Sequence, residues 1–155
     1  MSMFEPSVQA PLGLTPTNLD VRVTMRNAAA AKGEVVKFDL TASDSLVSTT
    51  VVGASDSIYA NVIPATHPPT TGTIHAVCLE AITENATGKV RIRGVVDALG
   101  GDTSTIGVIL TVNADGELET TSTEADTVLA LALQTMANAT LGSVLFNGEG
   151  FGNFS

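Results

Sequence analysis

The side chains that could do chemistry are few and scattered along this chain. His67 and His75 lie eight residues apart, and the single cysteine is Cys78. A zinc site needs three or four such ligands at spacings like HExxH or CxxC, and neither pattern occurs. Cys78 lies inside an apolar stretch, which favours a small buried residue over a nucleophile. The sequence therefore predicts no metal, no cofactor and no catalytic cysteine.

Other catalytic patterns are also missing. No GxSxG surrounds a serine, and no glycine-rich phosphate loop follows a strand. Glu117 and Glu119 could form a carboxylate pair of the kind that glycosidases use, although a solvated strand face explains them better. We expect a protein that is not an enzyme. An enzyme with a concealed carboxylate site stays open as a lesser alternative.

The elements that position these residues are predicted from composition. The chain has 155 residues, of which 44% are hydrophobic and only 4% aromatic. One domain is the natural expectation at this length, with a core of Val, Ile, Leu and Ala. Branched side chains pack well on pleated sheets, and 14 Gly with 6 Pro supply turns. The fold class is therefore predicted to be mainly β.

Charge limits the possible partners. Seven basic residues stand against 16 acidic ones, giving a net charge of −9. This balance disfavours nucleic acid and anionic membrane as partners, because both would be repelled. Lys89, Arg91 and Arg93 fall on one face of a predicted strand. They are candidates for an interface with an acidic partner, or they pair with acidic groups on neighbouring strands.

A twenty-residue pattern occurs twice without gaps, at residues 75–94 and 129–148, an offset of 54. Five positions are identical, including Gly88 with Gly142, Val90 with Val144 and Gly94 with Gly148. Each copy reads as a short apolar strand, a polar loop, a glycine and an alternating strand. Self-similarity at a fixed offset is typical of duplicated supersecondary units. Reuse of one hairpin-like unit without duplication is the alternative.

The predicted organisation is a β-rich domain over residues 21–148, flanked by an arm and a tail. Alternation and turn residues predict strands at 21–25, 35–40, 76–82, 89–94, 106–112, 117–123, 130–136 and 143–148. The three prolines in residues 63–72 predict a loop. Residues 124–136 also fit a helix beginning at Thr123, but the alternation of leucines favours a strand.

The arm is predicted to dock onto this subunit or a neighbouring one, and the tail is predicted to anchor on a partner, with fraying of the tail as the alternative. Residues 1–20 carry three evenly spaced prolines and read as an extended arm, and residues 149–155 form a short Gly/Phe tail. Apolar anchors in these segments are candidate interface residues: Phe4, Leu12 and Leu14 in the arm, and Phe151 and Phe154 in the tail. Disorder of the arm is the alternative.

Several segments resemble the decoration, or cement, proteins of tailed-phage heads. The similar segments are GEVVKFDL near the start, GKVRIRGVV in the centre and a final stretch. In that stretch the family pattern matches Gly116 and Leu118, then Ala125-Asp126, then Leu131 to Leu133, then Val144 to Phe146. The chain departs from the pattern at Ala130, where a glycine often stands. The resemblance covers about two thirds of the chain in outline.

What the resemblance implies is a small β-barrel or β-tulip-like body that forms a homotrimer on the outer capsid surface. The expected function is a structural virion protein that binds the major capsid protein and stabilises contacts between capsomers. No signal-peptide pattern precedes the body, so we expect synthesis in the host cytoplasm. An adhesive or carbohydrate-binding module on the virion surface is the main alternative.

Overall fold

A computed structural model describes residues 18–26, 28–38, 62–67, 74–121 and 126–152 of the chain. Within these ranges the protein is all β, as the sequence predicts, with nine strands and no helix. The strands are β1 (Leu19–Met25), β2 (Val35–Phe38), β3 (Val62–Thr66), β4 (His75–Cys78), β5 (Thr87–Leu99), β6 (Ile109–Val112), β7 (Leu118–Thr120), β8 (Ala130–Ala132) and β9 (Leu141–Asn147).

The strands form one continuous sheet in the order β1-β3-β2-β4-β5-β9-β8-β6-β7. Strand β1 also pairs with the first half of β5, so the first five strands close into a ring. The second half of β5 pairs with β9 instead. Strand β5 therefore serves both halves of the molecule, and its residues alternate between the interior and the outside along its whole length.

The two halves are built alike, and we call them the first module (β1 to β4 with the first half of β5, residues 19–94) and the second module (the rest, residues 95–148). Ile82 forms an isolated bridge with Ala30, and Met136, 54 residues later, forms one with Ser104. The non-glycine residues with positive φ also stand at this offset, Asn85 at 63° and Ala139 at 59°. The backbone thus repeats wherever the two sequence units align.

The structural repeat extends beyond the sequence repeat. Gly33 and Gly107, at an offset of 74, have φ of 90° and 89°. Their N–H groups donate to the carbonyls of Cys78 and Ala132, both at 2.8 Å. Strands β2 and β6 begin two residues after these glycines. In the first module β1 pairs in parallel with β3. The corresponding parallel contact in the second module is the isolated bridge between Gly100 and Leu118.

The identical glycines at 88 and 142 share a steric cause. A Cβ on Gly142 would lie 2.7 Å from Cγ of Met136, and a Cβ on Gly88 would meet the side chain of Ile82. In each module a glycine is required at this position, because the side chain of a buried residue six positions earlier occupies the space that a Cβ would need. Ile82 and Met136 are 2% and 1% exposed.

Each module has a hydrophobic core. The first contains Val23, Met25, Val36, Phe38, Ala76, Cys78, Ile82, Val90 and Ile92 among others, and the second contains Val96, Ala98, Leu110, Leu118, Leu129, Met136, Val144 and Phe146 among others. Val35 and Val77 belong to the first module by strand but pack into the second core. Strands β2 and β4 therefore lie between the two cores, which makes their outward faces a junction between the modules.

Several sequence-based boundaries were wrong. Residues 63–72 were predicted as a loop, but Val62–Thr66 is strand β3, paired in parallel with β1. Its ladder with β2 involves only Ala65 and Thr66, so β2 requires no N–H from Pro64. The strand predicted at 76–82 ends at Cys78, because the chain turns before Ile82. Residues 130–132 form a strand, as favoured, and no part of 126–136 is helical.

Two further predictions fall partly outside the described ranges. Residues 1–17 of the arm lie outside them, whereas the last two residues of the predicted arm belong to β1. The predicted return strand at 117–123 is observed only as Leu118–Thr120, and Leu118 is buried.

Candidate interaction surfaces

The titratable side chains in the described ranges do not assemble into a metal or nucleophile site. Across those ranges no group of three His, Cys, Asp or Glu lies close enough together to hold a metal ion. Cys78 is buried, and burial raises the pKa of its thiol to about 12. The thiol therefore stays protonated and packs as a small core residue. None of the described segments is a helix long and apolar enough to cross a membrane.

A shallow pocket of about 260 Å³ lies beside β5, where the two modules meet. Lys32, Arg91 and Asp97 supply its charged groups, and Cys78 and Val96 are among its apolar lining residues. Arg91 is already held by other partners, as described below. The charged lining groups that remain are Lys32 and Asp97, beside the apolar side chains of Leu79 and Val95.

The two histidines have separate structural roles. Nε2 of His67 lies 3.2 Å from Oε2 of Glu34 and 3.1 Å from the carbonyl oxygen of Asp115. His67 thus connects the first module to the β6–β7 turn of the second. His75 is buried, and its Nδ1 has no hydrogen-bond partner. Burial, aided by the charge of Lys37, lowers the pKa of His75 to about 4.

We expect His75→Leu to stabilise the protein, with an effect that grows as the pH falls. Leu129, 54 residues later, occupies the equivalent position and is 1% exposed. The unfolded histidine titrates near pH 6.5 and the folded one near 4, so the unfolded state binds more protons between these values. The wild type therefore loses stability from about pH 6.5 down to 4, by on the order of 3 kcal/mol.

Urea denaturation of both proteins at pH 7.5 and pH 4.5 measures this effect. The stability difference between His75→Leu and the wild type should be much larger at the lower pH. Equal differences at both values would show that the buried imidazole does not titrate as proposed. Both proteins also contain the Asp20–Arg91 pair. Arg91 lowers the pKa of Asp20, so protonation of this carboxylate reduces the stability of both proteins alike, and only below the usual carboxyl pKa.

The basic residues of β5 face mostly acidic neighbours. Arg91 binds Asp20 of β1 through Nε at 2.7 Å and Nη2 at 3.0 Å, and its Nη1 donates to the carbonyl of Val95 at 2.6 Å. Arg93 Nε lies 3.5 Å from Oε1 of Glu149, and both side chains are about half exposed. The side chain of Lys89 is exposed.

The contacts of Arg91 and Arg93 agree with the alternative in which the basic residues of β5 pair with nearby acidic groups. The two-pronged contact with Asp20 fixes the Arg91 guanidinium, and that side chain is only 19% exposed. Lys89 and Arg93 stay accessible at the surface. As candidate interface residues, these two therefore remain open to an acidic partner, and Arg91 serves the β1–β5 contact.

Most of the predicted apolar anchors lie outside the described residues, namely Phe4, Leu12, Leu14 and Phe154. Phe151 is described and is 51% exposed. Its N–H donates to the carbonyl of Val128 at 2.8 Å, so the backbone of the tail follows the start of β8 while the ring faces outward. The tail thus offers one aromatic side chain at the surface of the second module.

The sequence did not single out an apolar row on the outside of the second module. Val95, Leu145, Leu131 and Ile109 stand in register across β5, β9, β8 and β6. Each is half-buried, whereas the residues next to them along each strand are buried. Leu133, 38% exposed, adjoins this row. We call these five residues the outer apolar face.

Neither a scan against protein-family models nor a search of curated proteins finds a match to this sequence. Among solved structures, the fold is similar to the crystal structure of the head fiber gp8.5 N base in bacteriophage phi29. The alignment covers 87% of this chain and 98% of that one, with a TM-score of 0.57 and 11% sequence identity. The two-module sheet described above is therefore similar in fold to the base of a phage head fibre.

Proposed function

We propose that this chain is a structural protein of a phage head, which binds the outside of the capsid as a decoration or cement protein. The observation that carries the proposal is the fold likeness to a head-fibre base over nearly the whole of both chains. The resemblance of the sequence segments to tailed-phage decoration proteins points the same way. In this proposal the chain contacts the major capsid protein and assembles as a homotrimer.

The physical properties of the described surface suit such a role. A clamp on a capsid needs stable surface and needs no reactive groups. Two cores around a shared central strand supply a rigid body, since strands β2 and β4 are packed on both faces. The accessible Lys89 and Arg93 could meet acidic groups on the capsid. Many copies on one particle would turn weak individual contacts into firm attachment.

Heads made from the genome that encodes this chain provide the direct test. Heads are purified with the gene intact and with the gene deleted, and the chain is quantified relative to the major capsid protein. We expect a fixed ratio in intact heads, and restoration of that ratio when purified protein is added to deletion heads. Absence from intact heads would contradict the proposal.

Removal of residues 1–17 should weaken attachment to deletion heads without unfolding the body. The cut ends before Asn18, whose side chain lies against Gly94 of β5. The removed segment carries Phe4, Leu12 and Leu14. Each fully buried large side chain contributes roughly 1.5–3 kcal/mol, so loss of even one contact should lower affinity about tenfold or more.

Co-sedimentation with deletion heads measures the affinity, and thermal unfolding of the free protein is the control. The matched variant is the full-length chain with the three apolar residues of the arm replaced by serine. It should bind as weakly as the truncated chain. Undiminished binding of both would show that the arm does not hold the protein on the head.

A further inference from the structure

The outward side of the β1–β5 ladder carries four basic residues. Lys89, Arg91 and Arg93 alternate with buried residues along β5, so their side chains point outward together. The register of the ladder places Arg22 of β1 directly opposite Lys89, and both side chains are exposed. We call Arg22, Lys89, Arg91 and Arg93 the basic face. The sequence alone suggests only the three residues of β5, because Arg22 joins them through the pairing of two distant strands.

Two of these four cations are paired within the chain. Both oxygens of Asp20 accept hydrogen bonds from Arg91, at 2.7 Å and 3.0 Å. Nε of Arg93 lies 3.5 Å from a carboxylate oxygen of Glu149, and both side chains stay about half exposed. The neighbouring carboxylates Asp20 and Glu149 are therefore already engaged by Arg91 and Arg93.

Arg22 and Lys89 are left without a carboxylate of their own. In the described part of the chain, no hydrogen bond or ion pair reaches the side-chain nitrogens of either residue. Glu80 lies nearby, but its Oε2 accepts the backbone N–H of Lys89, at 2.9 Å. Lys89 acts on Asp20 only through space, adding to the hydrogen bond from Arg91 that lowers the pKa of Asp20. Two exposed cations thus stand opposite each other with no counterion in direct contact among the described residues.

This arrangement costs the fold stability. Like charges directly opposite each other on neighbouring strands repel, whereas opposite charges attract. A shortage of carboxylates does not explain the pair, because the chain has 16 acidic residues and only 7 basic ones. Eight of the acidic residues, and none of the basic ones, fall in residues 95–155. Local conflicts of this kind are typical of functional positions, where a contact with another molecule resolves them.

The N-terminal arm joins the body beside the basic face. Leu19, the first residue of β1, stands opposite Arg93. The side chain of Asn18 lies against Gly94, the next residue of β5. Any contact that residues 1–17 make with the head therefore begins on this side of the first module.

We propose that the basic face is the surface through which the chain docks on an acidic protein surface of the head, with Arg22 and Lys89 together holding a carboxylate of Asp or Glu. The argument is charge complementarity: a carboxylate between the two cations replaces the repulsion across the ladder by attraction to both. Cβ atoms directly opposite on paired strands lie about 4.5–5.5 Å apart, so both long side chains can reach one carboxylate.

Duplex DNA fits this face less well, because the net charge of −9 repels a polyphosphate and only Arg22 and Lys89 of the face are unpaired. The proposal rests on the proposed function and names the chemistry of its contact with the capsid. Its experiment therefore includes a measurement on the wild type, which tests the proposed function, and a measurement on a variant, which tests the face.

The variant is Arg22→Glu, which replaces a repelling pair across the ladder by an attracting one. We expect it to raise the melting temperature of the free protein by about 1–4 °C, because the new carboxylate faces Lys89. The same variant should bind deletion heads at least tenfold more weakly than the wild type, because its carboxylate repels the acidic partner. These opposite effects separate a docking residue from a structural one, whose loss would lower both quantities.

Thr103→Glu with Thr105→Glu is the matched control, since it changes the net charge by the same amount at exposed positions of the second module. The control should bind like the wild type, and Arg22→Lys, which keeps the charge, should retain binding. Co-sedimentation with deletion heads at low and moderate salt measures the affinities. Binding of the wild type should weaken as salt rises, and binding of Arg22→Glu should depend less on salt.

If Arg22→Glu binds as tightly as the control, the proposal for the basic face is overturned and the proposed function stands. A lower melting temperature together with weaker binding would also overturn it, because Arg22 would then act through the fold. Binding of the wild type to a short DNA duplex at moderate salt, lost in Arg22→Glu, would assign the face to nucleic acid instead. Heads that bind no wild-type protein would contradict the proposed function itself, and this proposal with it.

Discussion

Val35→Asp is expected to leave the protein largely unfolded at room temperature. Val35 is 0% exposed and lies at the junction, beside Val77 and within the second core. An unpaired carboxylate buried there costs several kcal/mol, in addition to the roughly 1.5–3 kcal/mol of lost apolar burial. The sum is comparable with the ~5–15 kcal/mol that stabilises a typical domain. Circular dichroism at neutral pH, with and without urea, measures the outcome.

Ile109→Asp is the matched control, since Ile109 holds the equivalent position in the second module. It is half-buried, so the new carboxylate keeps access to water. We expect a folded protein that loses only about 1–2 kcal/mol. If Val35→Asp were no more damaging than Ile109→Asp, the two modules would not be packed together through β2 and β4.

Gly148→Ala should destabilise the protein by about 3–5 kcal/mol, an unusually large effect for one added methyl group. The new Cβ would collide with the carbonyl oxygen of His75 and lie 3.2 Å from that of Ile92. Both are backbone atoms, and both strands are held there by hydrogen bonds. His75 N–H donates to Gly148 at 2.9 Å, and Gly148 N–H donates to Ile92 at 2.7 Å. Urea denaturation measures the loss.

Gly107→Ala separates this steric effect from backbone strain. Gly107 has φ of 89° and open space around it, so an added methyl costs only the left-handed conformation, about 1–2 kcal/mol. Equal losses at the two sites would mean that the close approach at Gly148 is relieved by small shifts of the strands.

The sequence predicts most successfully those parts of the fold in which a close contact determines the residue type. The units at 75–94 and 129–148 are visible because Gly88 and Gly142 must leave room for Ile82 and Met136. The wider repeat of β2 in β6 is not visible as identity. Around β2 and β6 the fold requires only a glycine followed by apolar residues, so the aligned residues need not be identical. The segments that link β2 to β4 and β6 to β8 also differ in length.

Other features depend on tertiary packing that no local pattern specifies. The prolines of residues 63–72 predict a loop, yet Val62–Thr66 is strand β3, because Pro64 lies beyond the end of the ladder with β2, where no N–H is needed. Alternation in β6, β8 and β9 predicts two faces, but both faces carry apolar residues. The sequence alone could not say that Leu110 faces the core and that Ile109 and Leu131 form an outer apolar face.

Electron cryo-microscopy of heads made with and without the gene tests the central claim most directly. We expect difference density on the outer capsid surface into which the two-module sheet fits. Identical maps, or difference density only in the head interior or the tail, would contradict the assignment of this chain to the outside of a phage head.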